Sequence, residues 1–496
     1  MHLLLLSLLC LWPTLPLWFN LQLPATQEGY RYLLLSSWFF EAMAAGIWYP
    51  RWLPDMNGGF GYPELLFYQP AYFFLNALVS TGVESFLLRQ FITVSLIALL
   101  GGIGAYRLAR HRVGPWQALL LVACFQLAPY VHTNLYLRGD LSEWMALELS
   151  PWPLHFLLQY CRHADTPSIR PRLTAWLGLA VSTALLCYCH PVALMFLLPI
   201  LLFLGSFCLL RVKGQDSSRR LTAAGEVLAA IGLGLALSSP YWLTVMTMKP
   251  LVNVAAALEG FEAWKNAIPL SQLFFGSLLE GKLFQEVLGA PFVMLTLAGC
   301  WFGRDKPLTL GAGAIYLALI LAMTPAGSFL WHLYPFSLLQ FPWRLAAFAP
   351  VLQTLCMTGL YRRASRLFLV TGFGLLLGWS LISHTGFKLS ENTGAGLRIN
   401  LDGSLKIDQE FITCLQHFAL AGSPGSYATT IDAGEWTPPE RSKHREDAGQ
   451  RHVAAGMRGK TSSHVGIHDS GRATRHLSAR AGTTPPAGSN PCVMER

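Results

Sequence analysis

The segment YPRWLPDMNGGFGYPELLFYQP (residues 49–70) interrupts a chain that is otherwise largely apolar, and it decides how the first part of the chain folds. Its four prolines lack a backbone donor and restrict φ, while its three glycines permit tight turns. Arg51 and Asp55 place opposite charges on either side of Pro54. The segment therefore predicts a stiff, shaped loop near the start of the chain and not a membrane-crossing helix.

The composition outside this loop is typical of a membrane protein. Of the 496 residues, 53% are hydrophobic and 13% are charged, whereas about 25% are charged in ordinary soluble domains. Apolar runs of about 17–25 residues recur as far as about residue 384, and this length crosses a bilayer as a helix. The formal charge of +9 lies largely in short loops and in the tail. We therefore expect an all-α polytopic membrane protein whose partner is the lipid bilayer and not nucleic acid.

The basic residues predict the orientation of the helices. Five short loops rich in Arg and Lys should face the cytoplasm under the positive-inside rule. Threading the apolar runs between them gives about eleven spans, with the N-terminus in the cytoplasm and the C-terminus outside. The first span is an uncleaved helix bent at Pro13 and Pro16. The five loops comprise residues 107–112, 162–172, 211–220, 304–306 and 362–366.

This threading assigns residues 1–384 to the transmembrane domain and leaves residues 24–89 as one long external loop. The apolar run at 64–82 is long enough to span, but counting it would place every later basic loop on the wrong side of the membrane. We therefore predict that this run and the run at 31–48 are juxtamembrane helices that do not cross.

The character of the chain changes after residue 384. Residues 385–436 predict a small or truncated external segment that contains strands. Residues 437–496 have almost no large apolar side chains, which predicts a disordered tail; a frameshifted end would produce the same change. The cysteines lie mainly in apolar runs and the tail histidines lack ligand spacing, so we expect no metal site and identify no cofactor.

Ionisable residues at the predicted external helix mouths are the candidates for a functional site. In YLRGDLSEW (residues 136–144), Arg138 suits a phosphate because its planar fork binds two oxygens. Asp140 in the same segment either supports such a site or caps the following helix. Glu28 follows the first span and either accepts a proton from an acceptor hydroxyl or is a solvated loop residue.

Four further residues carry similar alternatives. Arg51 and Asp55 either line a binding wall beside the membrane or form a surface ion pair. His190 lies between two apolar runs, where it binds a phosphate, shuttles a proton or forms a polar turn. Arg344 in FPWR (residues 341–344) either grips an anionic lipid or reaches to the lipid headgroups.

Three segments resemble a family of bacterial membrane proteins described as 6-pyruvoyl-tetrahydropterin synthase-related. They are the loop at 49–70, YLRGDLSEW and FPWRLAAFAPVL (residues 341–352), and they follow the order of the family and cover much of residues 28–365. No pterin chemistry is implied, because the histidine-held zinc of the soluble synthase has no counterpart here. The family in turn resembles the GT-C glycosyltransferases, which begin with one helix and a large external loop carrying an acidic residue.

The resemblance implies sugar transfer from a polyprenyl-phosphate donor on the external (periplasmic) face of the bacterial inner membrane. The catalytic carboxylate maps to Glu28, with Asp55 as the alternative; relatives usually have Asp with a nearby His there. Arginines would stabilise the departing phosphate. The phosphate-binding candidates are Arg51, Arg138 and Arg344, with Asp140 and His190 as supporting polar groups.

Two other functions fit the sequence. A transporter or flippase needs ionisable groups near mid-membrane, and the candidates Glu148 and Glu226 lie nearer the ends of their spans. A catalytically silent integral membrane protein needs no site at all. The transferase alone predicts that polar groups from residues 24–63, 134–144 and 331–344 converge.

Overall fold

The structure of the chain is a computed structural model that describes most of the first 385 residues and two short strands beyond them. The helices belong to one compact unit and the strands to a second. The described residues are 2–21, 23–24, 26–53, 61–164, 168–209, 217–251, 262–276, 288–304, 306–363, 365–385, 397–399 and 405–407.

The first unit is built from helices. Short 3₁₀ turns and one π-helical turn connect them. The helices are numbered in chain order as α1 (His2–Leu11), α2 (Leu15–Asn20), α3 (Gly29–Ala44), α4 (Glu64–Phe67), α5 (Ala71–Ser80), α6 (Phe86–Arg110), α7 (Pro115–Gln126), α8 (Pro129–Thr133), α9 (Leu141–Leu149), α10 (Pro151–His163), α11 (Ile169–Cys189), α12 (Pro191–Leu209), α13 (Ser217–Leu237), α14 (Ser239–Met248), α15 (Leu270–Phe275), α16 (Ala290–Phe302), α17 (Pro307–Met323), α18 (Ala349–Met357), α19 (Leu360–Arg363) and α20 (Arg366–Thr385).

Several helices are long and apolar enough to cross a membrane. Within the described part of the chain there are five, or up to seven if each of two bent helix pairs is one span. The finer count of about eleven spans stays a prediction. The five are His2–Asn20, Phe86–Arg110, Ile169–Cys189, Pro191–Leu209 and Ser217–Leu237, and the bent pairs are Pro115–Gln126 with Pro129–Arg138 and Pro307–Met323 with Pro325–His332.

Prolines divide two of the apolar runs. A 3₁₀ turn over Trp12–Thr14 interrupts the first candidate span at Pro13, where proline cannot continue the α-helical hydrogen bonding. The run at 64–82 is divided into α4 and α5, which have 4 and 10 residues. Neither piece has the roughly 20 residues that a helix needs to span a bilayer.

Helix α6 lies at the centre of the bundle, against α1, α5, α7, α9 and α10. The contact with α1 is close, because a Cβ atom at Gly102 would lie 2.3 Å from Cys10 Sγ. This packing fixes the helix ends on which the polar residues described below are carried.

In the second unit, two strands pair antiparallel, β1 (Leu397–Ile399) with β2 (Leu405–Ile407), and Leu397 lies opposite Ile407. Both fall within the segment predicted to contain strands, but the extent of an external domain at 385–436 stays a prediction. The tail predicted to be disordered, residues 437–496, lies outside the described residues.

Candidate functional site

The segment between α8 and α9 builds the centre of the site. A π-helical turn over Asn134–Arg138 ends at Gly139, whose φ is +69°. Asp140 then caps α9 by accepting a hydrogen bond from the Glu143 backbone N–H at 3.0 Å. This tight reversal brings the side chains of Arg138, Asp140 and Glu143 together.

Arg138 is buried and held on several sides. Its Nη1 atom donates to Glu143 Oε1 at 2.5 Å and to the Tyr130 hydroxyl at 3.1 Å. Its Nη2 atom donates to Asp140 Oδ2 at 3.3 Å. The guanidinium also lies 4.8 Å from the centre of the Trp343 ring, a cation–π distance. These contacts occupy most of its donor capacity.

The two carboxylates beside Arg138 differ in whether both of their oxygens accept hydrogen bonds. Asp140 Oδ1 also accepts from the Tyr32 hydroxyl at 2.7 Å. Glu143 Oε1 accepts from the Tyr130 hydroxyl at 2.6 Å as well as from Arg138. Glu143 Oε2, in contrast, is buried and has no hydrogen-bond partner among the described residues. Arg344 Nε lies 3.5 Å from it.

Glu28 is brought to this centre by a backbone clamp. The backbone N–H groups of Gln27 and Glu28 donate to the carbonyls of Leu137 and Arg138, at 3.0 and 2.7 Å. Gly139 makes the clamp possible, because a Cβ atom there would lie 2.1 Å from Thr26 Oγ1. Glu28 Oε1 is consequently 3.9 Å from Arg138 Nη2.

The FPWR segment (residues 341–344) brings Arg344 to the site. The rings of Phe341 and Trp343 are stacked with centres 5.0 Å apart, and Trp343 covers Arg138. This stacking positions Arg344 among three carboxylates, at 3.9 Å from Glu28, 3.7 Å from Asp140 and 3.5 Å from Glu143. Its Nε atom is buried without a hydrogen bond among the described residues. Arg344 is therefore the loosely held cation of the site.

His190 closes the site between α11 and α12. Its Nδ1 accepts a hydrogen bond from the Ala193 backbone N–H at 3.0 Å. Burial lowers the pKa of His190, opposed by the charges of Asp140 and Glu143, so the ring is neutral near pH 7. A neutral ring that accepts at Nδ1 carries its proton on Nε2, which makes Nε2 a hydrogen-bond donor.

The described residues include one group with the donor types of a metal site. The ligand atoms of Asp140, Glu143 and His190 lie within 4.8 Å of one another. A histidine that binds a metal normally donates its other ring N–H to an acceptor, whereas here Nδ1 accepts. The Arg344 guanidinium already supplies positive charge beside the same two carboxylates. This arrangement favours a hydrogen-bonded ion cluster over a metal site.

Two carboxyl groups of the cluster have opposite pKa shifts. Burial and the nearby charge of Asp140 raise the pKa of Glu28 above its usual 4.5, and Arg138 and Arg344 only partly offset this. Burial also opposes ionisation of Asp140, but the charges of Arg138 and Arg344 and the hydrogen bond from the Glu143 backbone hold its pKa well below its usual value. Such a divergence separates a carboxylate that stays charged from one that exchanges a proton.

Five of the seven residues predicted from the sequence come together here: Glu28, Arg138, Asp140, His190 and Arg344. Arg51 lies elsewhere, where its guanidinium donates to the Pro240 carbonyl at 3.2 Å and lies over the Tyr49 ring. Asp55 lies outside the described residues, so its place as the alternative acid stays a prediction.

The sequence reasoning did not select four residues that complete the site: Tyr32, Tyr130, Glu143 and Trp343. Glu143 had a local signal, because it follows Asp140 by three residues at a helix start. Trp343 directly precedes Arg344, which was predicted as a site residue. Tyr32 and Tyr130 gave no comparable signal, since buried tyrosines on apolar helices usually only pack.

Comparison with known proteins adds no assignment: no protein-family model matches the chain, and no curated protein matches it.

Proposed function

We propose that this chain is a GT-C-like membrane glycosyltransferase that transfers a sugar from a polyprenyl-phosphate donor on the external (periplasmic) face of the bacterial inner membrane. It would belong to the 6-pyruvoyl-tetrahydropterin synthase-related membrane family that its sequence resembles, with about eleven spans. The observation that carries the proposal is the convergence of Glu28 with Arg138 and Arg344, from segments far apart in the chain.

The position of His190 supports an external site. Helix α11 begins beside the basic residues Arg170 and Arg172 and ends at His190, 21 residues later. A helix of that length is roughly 30 Å long, about the thickness of a hydrocarbon core. If the basic end faces the cytoplasm, the cluster around His190 lies at the other face.

The chemistry assigned to the site is a displacement at the anomeric carbon of the donor. The acceptor hydroxyl oxygen forms the new bond to this carbon, the bond to the phosphate oxygen breaks, and the phosphate leaves with its negative charge on the lipid. Glu28 takes the proton of the acceptor hydroxyl, which a carboxylate of raised pKa does well near neutral pH.

Arg138 and Arg344 have different roles in this reaction. Arg138 is held by Glu143, Asp140 and Tyr130, so it positions the carboxylates and cannot turn toward a substrate without breaking these bonds. Arg344 is the group that meets the departing phosphate, because its ion pairs are long, its Nε makes no hydrogen bond among the described residues and 19% of its side chain is exposed. Its planar fork suits two phosphate oxygens.

The proposal is tested with purified protein in liposomes supplied with a panel of polyprenyl-phosphate hexoses and pentoses. Release of polyprenyl phosphate should depend on Glu28 and vanish in Glu28→Gln. Glu262→Gln is the matched control, because the ion pair that Glu262 makes among the described residues is a local one with Lys265, three residues away. Full activity of Glu28→Gln would remove the general-base assignment, and turnover of no donor would contradict the transferase.

A transporter or flippase is the second candidate, and one buried acid favours it. Glu148 is fully buried, accepts a hydrogen bond from Gln126 at 3.1 Å and leaves Oε1 without a partner among the described residues. Buried acids within membrane bundles often mark transport pathways. Movement of an intact polyprenyl-phosphate sugar across liposomes, without release of the sugar, would favour this function over the transferase.

A further inference from the structure

The charges of the site do not balance for an anionic ligand. Three carboxylates, on Glu28, Asp140 and Glu143, face two guanidinium groups, on Arg138 and Arg344. With all five ionised, the cluster carries one net negative charge. An entering phosphodiester would add a second negative charge in a partly buried site, where screening by water is weak.

The other charged or titratable groups near Glu28 do not correct this imbalance. Arg31 acts on Glu28 electrostatically, but it is ion-paired with Glu64, so the two cancel. Tyr68 is buried and uncharged near neutral pH, because burial raises its pKa. His190 is neutral for the reason given above. Charge balance must therefore be reached within the cluster of five residues.

Only one of the three carboxylates is placed to take up a proton readily. Asp140 accepts from a hydroxyl, a backbone N–H and Arg138, and Glu143 accepts from Tyr130, Asn134 and Arg138. Each of these bonds favours the charged carboxylate. Glu28 has its two arginine partners at 3.9 Å, and 35% of its side chain is exposed. It can therefore exchange a proton with water.

We infer that a phosphodiester anion binds to this site together with one proton, which Glu28 holds. This inference rests on the proposed function, because it concerns the same donor site. With Glu28 neutral, two carboxylates balance two guanidinium groups, and Arg344 is released from one of its three competing partners. The incoming phosphate then meets a neutral cluster with an arginine available to donate.

A consequence is that donor binding and sugar transfer depend on pH in opposite directions. Binding takes up a proton, so the donor binds more weakly as the pH rises. Transfer requires Glu28 without its proton, so the proton returns to water before Glu28 takes one from the acceptor hydroxyl. KM for the donor and kcat should therefore rise together with pH.

The test uses the full chain in detergent and geranyl methyl phosphate, a phosphodiester that keeps one negative charge across the pH range. Calorimetric titration in two buffers of different ionisation enthalpy counts the protons taken up. We expect uptake approaching one proton above the pKa of Glu28, with affinity falling by up to about tenfold per pH unit there. Glu28→Gln should bind with no proton uptake and no such pH dependence.

Two further variants keep the result interpretable. Glu28→Asp retains a titratable carboxyl and should retain proton uptake, which also covers the case in which Glu28→Gln does not fold. His190→Gln tests the other titratable group, and uptake should persist. Binding by the unsubstituted protein without proton uptake, or uptake that persists in Glu28→Gln, overturns this inference and leaves the transferase standing. Absence of binding at every pH overturns both.

Discussion

Arg138 and Glu143 form a buried ion pair, with Nη1 of the arginine 2.5 Å from Oε1 of the glutamate. They are five residues apart, on either side of Gly139, so the reversal at that glycine makes the pair. The side chains are 4% and 2% exposed, which places both charges almost out of contact with water. Because water is excluded, each charge is stabilised mainly by the other.

The first prediction concerns this pair. Arg138→Ala leaves Glu143 and Asp140 as buried charges without their main partner, so it should destabilise the protein by about 3–5 kcal/mol. Unfolding of the purified protein in a detergent series measures this loss. Arg344→Ala is the control and should change stability far less, because its ion pairs are longer. Equal losses in the two variants would contradict the division of roles.

Arg344 provides the second prediction. Removing the group that stabilises the charge developing on the departing phosphate should lower kcat by roughly 10²–10³-fold, with little change in stability. Release of polyprenyl phosphate measures kcat for Arg344→Ala. Arg344→Lys should recover part of the rate, because lysine supplies the charge without the two-point fork. A normal rate for Arg344→Ala would assign the phosphate to another group.

The third prediction concerns Gly139. Alanine there must adopt a φ near +69° and place its Cβ 2.1 Å from Thr26 Oγ1. We expect Gly139→Ala to cost about 1–3 kcal/mol in backbone strain and to move Glu28 away from Arg138. Activity should fall, and the pKa of Glu28 seen in the pH–rate profile should return toward its usual value.

Gly232→Ala is the matched control, because the space around Gly232 is open and its helix is regular. Its stability should stay the same or rise by up to about 1 kcal/mol, because alanine favours the helix, and its pH–rate profile should be unchanged. Thr26→Gly combined with Gly139→Ala should recover part of the activity, since it removes the nearest clashing atom. A pH–rate profile that Gly139→Ala leaves unchanged would contradict the positioning role.

The fourth prediction is the pH dependence of turnover. Burial raises the pKa of Glu28 above 4.5, and a general base must be deprotonated. The rate should therefore be low in acid and rise through an inflection above pH 4.5. Measurement of kcat from pH 4 to pH 9 checks this, and Glu28→Gln should stay inactive across the whole range. An inflection below pH 4.5 would contradict the assignment.

Much of the candidate site could be predicted because part of it is local. Arg138 and Asp140 are two residues apart at a helix start, where charged residues and a cap coincide, so one short segment indicated both. Glu143 follows at the next helical turn. Glu28 and Arg344 were selected from their positions in the chain and from a family resemblance, which gave no information on whether they touch.

What the sequence by itself determined is the class of the molecule. Long apolar runs with few charges fold as helices in lipid, because a helix satisfies its backbone hydrogen bonds within one segment, and prolines set where those helices break. The tertiary structure decided which charges meet. It joined Glu28 to Arg138 through a backbone clamp, placed Arg344 among three carboxylates and set Arg51 apart against α14. The physical reason is that helix packing, which depends on shape over the whole bundle, determines which helix ends lie together.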